Sequence, residues 1–210
     1  GAAAAPTATS FSGGVESGTG EDAVPEEIVV AAKQGGEAVL AWLGGGGRVD
    51  ATFANEGASG FTLLMVAALF GHEWLAAALL QRGASINLRN SKGRTALMFA
   101  ALNGHERVAE LLLHHGAEIN LQDNTGLTAL MLAAGMGHPA ALLCLLRAGA
   151  DTELRSVAGC TALQTAKEEG SADCVRAFEE HAAAKAAAEA AAKEAAWAAG
   201  AAERAAQRAA

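Results

Sequence analysis

The chain has no tyrosine, few aromatic residues of any kind, three prolines and three cysteines. A core short of rings has to be filled by small side chains in close contact, as between tightly apposed helices. The cysteines (Cys144, Cys160, Cys174) are odd in number and form no CxxC pair, which points to a reducing compartment rather than a disulfide framework. No uninterrupted apolar run approaches the roughly 20 residues needed to span a bilayer. Basic residues are outnumbered, 15 against 23 acidic, for a net charge of −8. With no cluster of Lys and Arg to meet phosphates, a nucleic-acid groove is disfavoured.

What the chain has in abundance is alanine, glycine and repetition. Thr62, Thr95, Thr128 and Thr161 stand 33 residues apart, each opening a four-residue phrase such as Thr95-Ala96-Leu97-Met98. Gly60, Gly93, Gly126 and Gly159 keep the same step, as do Gly71-His72, Gly104-His105 and Gly137-His138, and Gly83-Ala84, Gly116-Ala117 and Gly149-Ala150. A period of this length marks stacked units, each too small to bury its apolar face alone.

Within a unit the spacing predicts two antiparallel helices. Leu97, Ala100 and Ala101 form the inward stripe of the first, Gly104 ends it, and Val108, Leu111 and Leu112 supply the stripe of the second. Gly116 stops that helix in a conformation with positive φ. Pro25-Glu26-Glu27 opens a degenerate leading unit that ends near Arg48-Val49-Asp50, the sequence of a terminal cap. Between this unit and Thr62 the chain carries four extra positions, read as a surface loop. In the last unit the closing Gly-Ala pair is replaced by Ala182-Ala183. The helix from Asp173 therefore continues through an Ala-rich stretch with Lys185–Glu189 and Glu189–Lys193 pairs, roughly 40 Å to Ala199, with Gly200 ending or bending it.

The stretch Gly93–Asn120 resembles the ankyrin repeat, G-x-T-P-L-H-x-A-A-x-x-G-H-x-x-V-x-x-L-L-x-x-G-A-x-x-N, and Gly60–Asn87 and Gly126–Glu153 follow it closely. The pattern's Pro is here Leu63, Ala96, Ala129 and Ala162, and its His is Met65, Met98, Met131 and Gln164, so Met packing takes over the ties that the imidazole usually makes. The resemblance implies an all-α solenoid of about five units, with short turn or hairpin connections and an Ala-rich helical extension. Residues 1–23 form a flexible acidic lead, 24–181 the array and 182–210 the extension. The array divides into a capping unit 24–57 and units 58–90, 91–123, 124–156 and 157–181.

Nothing in the sequence assembles a nucleophile, a base and an oxyanion site, and no cofactor is expected. His72, His105 and His138 occupy one column and stand ~10 Å apart in a helix stack, too far to share a metal ion, and His114 and His115 diverge around their helix. Cys144 and Cys174 are read as core fillers and Cys160 as the accessible thiol. Gly44–Gly47 lacks the Gly-Lys-Ser/Thr of a phosphate loop, and Glu168-Glu169 reads as a solvated face.

Binding to another protein is the function the resemblance implies. Ankyrin partners usually lie against turn tips and first-helix faces. That assigns the apolar residues Phe61, Leu69, Phe70, Leu102, Leu127, Met136 and Val157, the polar Asn103 and Asn124, and a basic island of Arg89, Lys92 and Arg94 suited to an acidic protein segment. The Ala-rich extension either projects into solvent as a spacer or lays its Ala face and Trp197 on another protein, and the exposed Trp favours the second. The reading is a non-enzymatic scaffold in a stable protein complex, inside a cell, with cytoplasm and organelle interior both open. Two alternatives stand beside it: an accessory subunit of a large assembly, peripheral to a membrane within an organelle, and a regulator that occludes an enzyme's active site.

Overall fold

The computed structural model describes residues 24–55 and 57–209, with side chains to Ala199. The acidic lead expected at 1–23 lies outside the described residues. In chain order the elements are α1 (Glu26–Lys33), α2 (Ala38–Gly44), β1 (Phe53–Asn55), β2 (Ala58–Phe61), α3 (Leu63–Phe70), α4 (Glu73–Gln81), α5 (Ala96–Leu102), α6 (Glu106–His114), α7 (Ala129–Gly135), α8 (Pro139–Arg147), α9 (Ala162–Glu168) and α10 (Ala172–Ala209). Inner helices α1, α3, α5, α7 and α9 pack side by side, and α2, α4, α6, α8 and α10 back them as an outer layer. The all-α solenoid that the resemblance implied is the fold observed.

Each repeating threonine starts an inner helix. Thr62, Thr95, Thr128 and Thr161 hold extended backbone, and each hydroxyl accepts the amide of the residue three positions on, satisfying one of the amides a helix start leaves without a partner. The residue receiving that help is Met65, Met98 or Met131 in turn, and all three are fully buried. Apolar packing has replaced the missing imidazole, as the sequence implied.

The units are tied by a different imidazole. His72 donates its Nε2 proton to the Lys33 carbonyl (2.8 Å), and His105 donates likewise to that of Leu69 (3.1 Å). The ring lies over the glycine that ends the preceding inner helix: a Cβ at Gly104, where φ is 71°, would come within 2.6 Å of the His138 ring. The Gly-His column thus works between units, each glycine receiving the next unit's histidine. In the last unit Ser171 stands in that place, 3.4 Å from a Cβ built on Gly137.

A second seam joins the turns. Backbone amides of Ser91, Asn124 and Val157 donate to the carbonyls of Ser59, Lys92 and Thr125 in the unit before, at 2.9 to 3.0 Å. The four extra residues, read as a surface loop, are instead part of an antiparallel hairpin, β1–β2, with Phe53 opposite Phe61 and an irregular register before Asn55–Ala58. Its reason is apolar: Phe61 is only 4% exposed, with its ring 5.1 Å from that of Phe99 and 6.3 Å from that of Phe53.

The array ends through sequence polarity. Gln164 and Lys167 are exposed where Met131 and Ala134, one unit earlier, are buried by the following unit, so no apolar face is left for a further repeat. Helix α10 nonetheless runs on past Gly200 to Ala209, 38 residues in all and about 57 Å long. The expected stop at Gly200 is not there, because one glycine costs only about 1 kcal/mol among alanines of the highest helix propensity. From Ala182 to Ala199 every residue is exposed.

Gly104 and Gly116 separate two costs. Gly116 also has positive φ (85°), but open space surrounds its Cβ position. Gly116→Ala is expected to lose about 1 kcal/mol to backbone strain, and Gly104→Ala about 2–4 kcal/mol because it also displaces the His138 ring. Equilibrium urea unfolding of the two variants checks the difference.

Candidate functional site

The face assigned from sequence resolves into two parallel strips. One is the row of turn tips: Ser91 and Lys92, Asn124 and Thr125, Val157 and Ala158. The other is the row of inner-helix ends: Leu69 and Phe70, Leu102 and Asn103, Gly135 and Met136, Glu168 and Glu169. Inner helices of seven or eight residues separate them, about 10 Å at the rise of a helix.

On the turn strip most of the assigned side chains are engaged in the fold. Phe61 is a correction: it is buried beneath the hairpin and offers nothing to a partner. The basic island is corrected too. Arg89 donates to the Gly93 carbonyl of its own turn (3.0 Å) and to the Gln122 carbonyl of the next (2.6 Å). Gln122 repeats the pattern with Gly126 and Arg155, so this column is a stitch. Arg94 pairs with Asp123 at 3.1 Å. Arg89 and Lys92 are both exposed, but only Lys92 of the three has a side chain with neither a hydrogen bond nor an ion pair among the described residues. Asn124 is exposed, yet its side-chain amide donates to the Ser91 carbonyl at 2.9 Å. Leu127 is half-buried against the core, and Val157 is 81% exposed.

The helix-end strip keeps its surface. Phe70 is 41% and Met136 58% exposed, Leu69 and Leu102 are half-buried beside them, and Asn103 between them anchors its amide on the Phe99 carbonyl (2.9 Å). Phe70 stacks on His72 with ring centroids 6.2 Å apart, so the unit-tying imidazole also steadies this exposed ring. Trp74, half exposed at the start of α4, and Val30 on α1 are further exposed apolar residues of the described chain. Sequence reasoning passed over both because Trp74 lies on the outer layer and Val30 in the irregular cap. A shallow recess at the same edge is lined by Gly71, Glu73, His105, Glu106, Arg107 and Val108. Trp197 is 71% exposed on α10, out of reach of both strips along the projecting helix.

No thiol is activated. Burial first, then the neighbouring Glu110 and Glu106, push Cys144 up to about 11. Burial raises Cys174, which donates to the Ala133 carbonyl. Cys160, expected to be accessible, is half-covered; that covering and the Glu168 carboxylate, 3.6 Å from its sulfur, raise it as well. A thiolate is the reactive form, so all three thiols are poor nucleophiles at neutral pH. Among the described residues no three His, Cys, Asp or Glu side chains gather as metal ligands, and no helix is long and apolar enough to cross a membrane.

Two predictions concern these residues. Burial alone would raise the Asp123 carboxyl, but the Thr125 hydroxyl, the Leu127 and Thr125 amides and Arg94 donate to it and hold it below its ordinary value. Its contribution to stability is therefore complete above the unfolded carboxylate value near pH 4 and fades as pH falls through the lower folded one. Asp123→Ala leaves the part-buried Thr125 and Leu127 amides and the Arg94 guanidinium without their acceptor and is expected to cost about 2–3 kcal/mol. Asp123→Asn keeps the acceptor that Asn90 supplies one unit earlier, costs about 1.5 kcal/mol for the lost charge-assisted bond between a buried carboxylate and the partly covered Arg94, and removes that part of the acid sensitivity. Urea unfolding between pH 3 and pH 7 measures both. Separately, Glu168→Gln is expected to speed alkylation of Cys160 by iodoacetamide at pH 8 several-fold while leaving Cys144 unreactive, read by peptide mass spectrometry.

The geometry agrees with what the chain is similar to. A family model described as ankyrin repeats (3 copies) matches residues 28–123 and 120–188. Among curated proteins none matches the chain. Ankyrin arrays are protein–protein interaction modules and are generally non-enzymatic. With Thr-capped inner helices, glycine-seated histidines and stitched turns repeating every 33 residues, and the family model covering most of its length, the chain belongs to the ankyrin-repeat family.

Proposed function

We propose that this protein is a non-enzymatic scaffold that holds a partner polypeptide in a stable complex along the helix-end strip. The observation that carries the reading is the pair Phe70 and Met136, 41% and 58% exposed. They occupy the same column of a rigid stack, with half-buried Leu69 and Leu102 alongside. Large apolar side chains fixed on a surface and flanked by polar ones are what a protein interface uses as anchors. Burying them contributes about 25 cal/mol per Å² of apolar area before the costs of association.

A second reading, an accessory subunit within a larger assembly, is supported by α10. A helix that leaves the stack fully exposed and carries Trp197 at 71% exposure has the form of a docking arm. The three unpaired thiols favour a reducing compartment for either role.

The double variant Phe70→Ser/Met136→Ser tests the main reading, because both side chains are exposed and the fold loses with them only the contact of the Phe70 ring with His72. Pull-down from cell extract with quantitative mass spectrometry is expected to show at least one polypeptide falling about tenfold or more relative to the unmodified chain, as two lost anchors of 1–2 kcal/mol each require. Unchanged thermal melting shows that folding is unaffected; an unchanged set of captured polypeptides sinks the strip.

A further inference from the structure

The helix-end strip changes character along its length, and this gives its partner a chemistry and a direction. The inter-unit bonds of His72 to Lys33 and of His105 to Leu69 make Lys33 and Gln34 of the cap equivalent to Leu69 and Phe70. Read from cap to last unit, one column is then Lys33, Leu69, Leu102, Gly135, Glu168, and its neighbour is Gln34, Phe70, Asn103, Met136, Glu169. A cation stands at one end, apolar anchors in the middle, and two exposed carboxylates at the other end.

The charges next to the strip leave that polarity standing. Glu168 receives the Cys160 thiol and Glu169 accepts no side-chain hydrogen bond, and neither forms an ion pair among the described residues. Lys167, beside them, falls on the column of Ala134, which faces along the stack axis and not onto the strip. Glu73 and Arg107, at the starts of the outer helices, lie 3.9 Å apart and offset each other. Lys33 donates to the neutral Asn55 side chain at 3.1 Å and is in no ion pair among the described residues, so no carboxylate offsets it at the cap end.

We infer that the strip binds a polypeptide segment with bulky apolar residues in its middle and Lys or Arg at the end lying over Glu168 and Glu169, docked in one direction. Like charges brought together at an interface cost several kcal/mol, so Lys33 turns away the reversed orientation. Three units separate Phe70 from Glu169, about 30 Å at helix-packing distances. A helix of about 20 residues or an extended strand of about nine spans that length. The inference rests on the strip being the binding surface, and the experiment keeps the two apart.

A displayed library of random 20-residue peptides is selected on three full-length proteins: the unmodified chain, Glu168→Lys/Glu169→Lys, and Phe70→Ser/Met136→Ser. The expected pool on the unmodified chain combines apolar residues with Lys or Arg displaced to one end. Binding of that pool drops at least tenfold on either double variant, and reselection on Glu168→Lys/Glu169→Lys replaces the basic end by Asp or Glu. A pool that needs Phe70 and Met136 but carries the same charges on both glutamate forms overturns the polarity and leaves the strip. A pool indifferent to the serine variant, or no enrichment on the unmodified chain, overturns both.

Discussion

A unit of this array, two helices of seven to nine residues, has no interior of its own. Its inner helix is apolar nearly all round, and burial of that helix depends on a neighbour on each side. Nearest-neighbour contact is therefore the constraint from which the rest follows. Small residues allow it: Ala67, Ala68, Ala100, Ala101, Ala133 and Ala134 are fully buried between adjacent helices, where a larger side chain would force the stack apart.

Apolar contact between alanines is weakly directional, and the seams that fix the register are polar. The imidazole over a left-handed glycine holds one edge of each unit, and the turn amides and the Arg89 and Gln122 side chains hold the other. Each hydrogen bond contributes little alone, about 1 kcal/mol, but an amide or guanidinium left without its acceptor in these half-covered sites costs more than the bond contributes. The same constraint makes Arg89 and Arg94 poorer candidates for recognition than Lys92. A guanidinium already satisfied by carbonyls of its own chain has little left to offer a partner.

The surface then divides by what the stack leaves unused. Turn tips carry mostly committed polar groups, whereas helix ends carry side chains the packing does not require. Position 70 is Phe, its equivalents are Asn103, Met136 and Glu169, and nothing in the inter-unit seams discriminates among them. Variation of this kind is free to encode a partner, and here it runs from apolar to acidic. Helix α10 extends the same logic beyond the array: with no Gly-Ala stop after residue 181, alanine propensity carries the helix into solvent.

The amino-acid sequence by itself determined that the chain is a stack of repeated helical units, because those depend on short-range chemistry repeated at a fixed step: a capping threonine, an apolar stripe, a glycine that adopts positive φ without strain. It also placed Phe70, Met136 and Val157 at surface positions, since one column of a repeat predicts another. It did not separate Phe61 from Phe70, two phenylalanines on the same nominal face. Only the fold decided that the four extra residues pair as a hairpin and close over Phe61, or that Asp123 from the following turn reaches Arg94. Nor does spacing show that Gly200 lies within a helix already carried by its neighbours. Burial and pairing are set by residues of adjacent units, about 30 positions away in the chain for Arg94 and Asp123, and linear order does not contain those distances until the units are stacked.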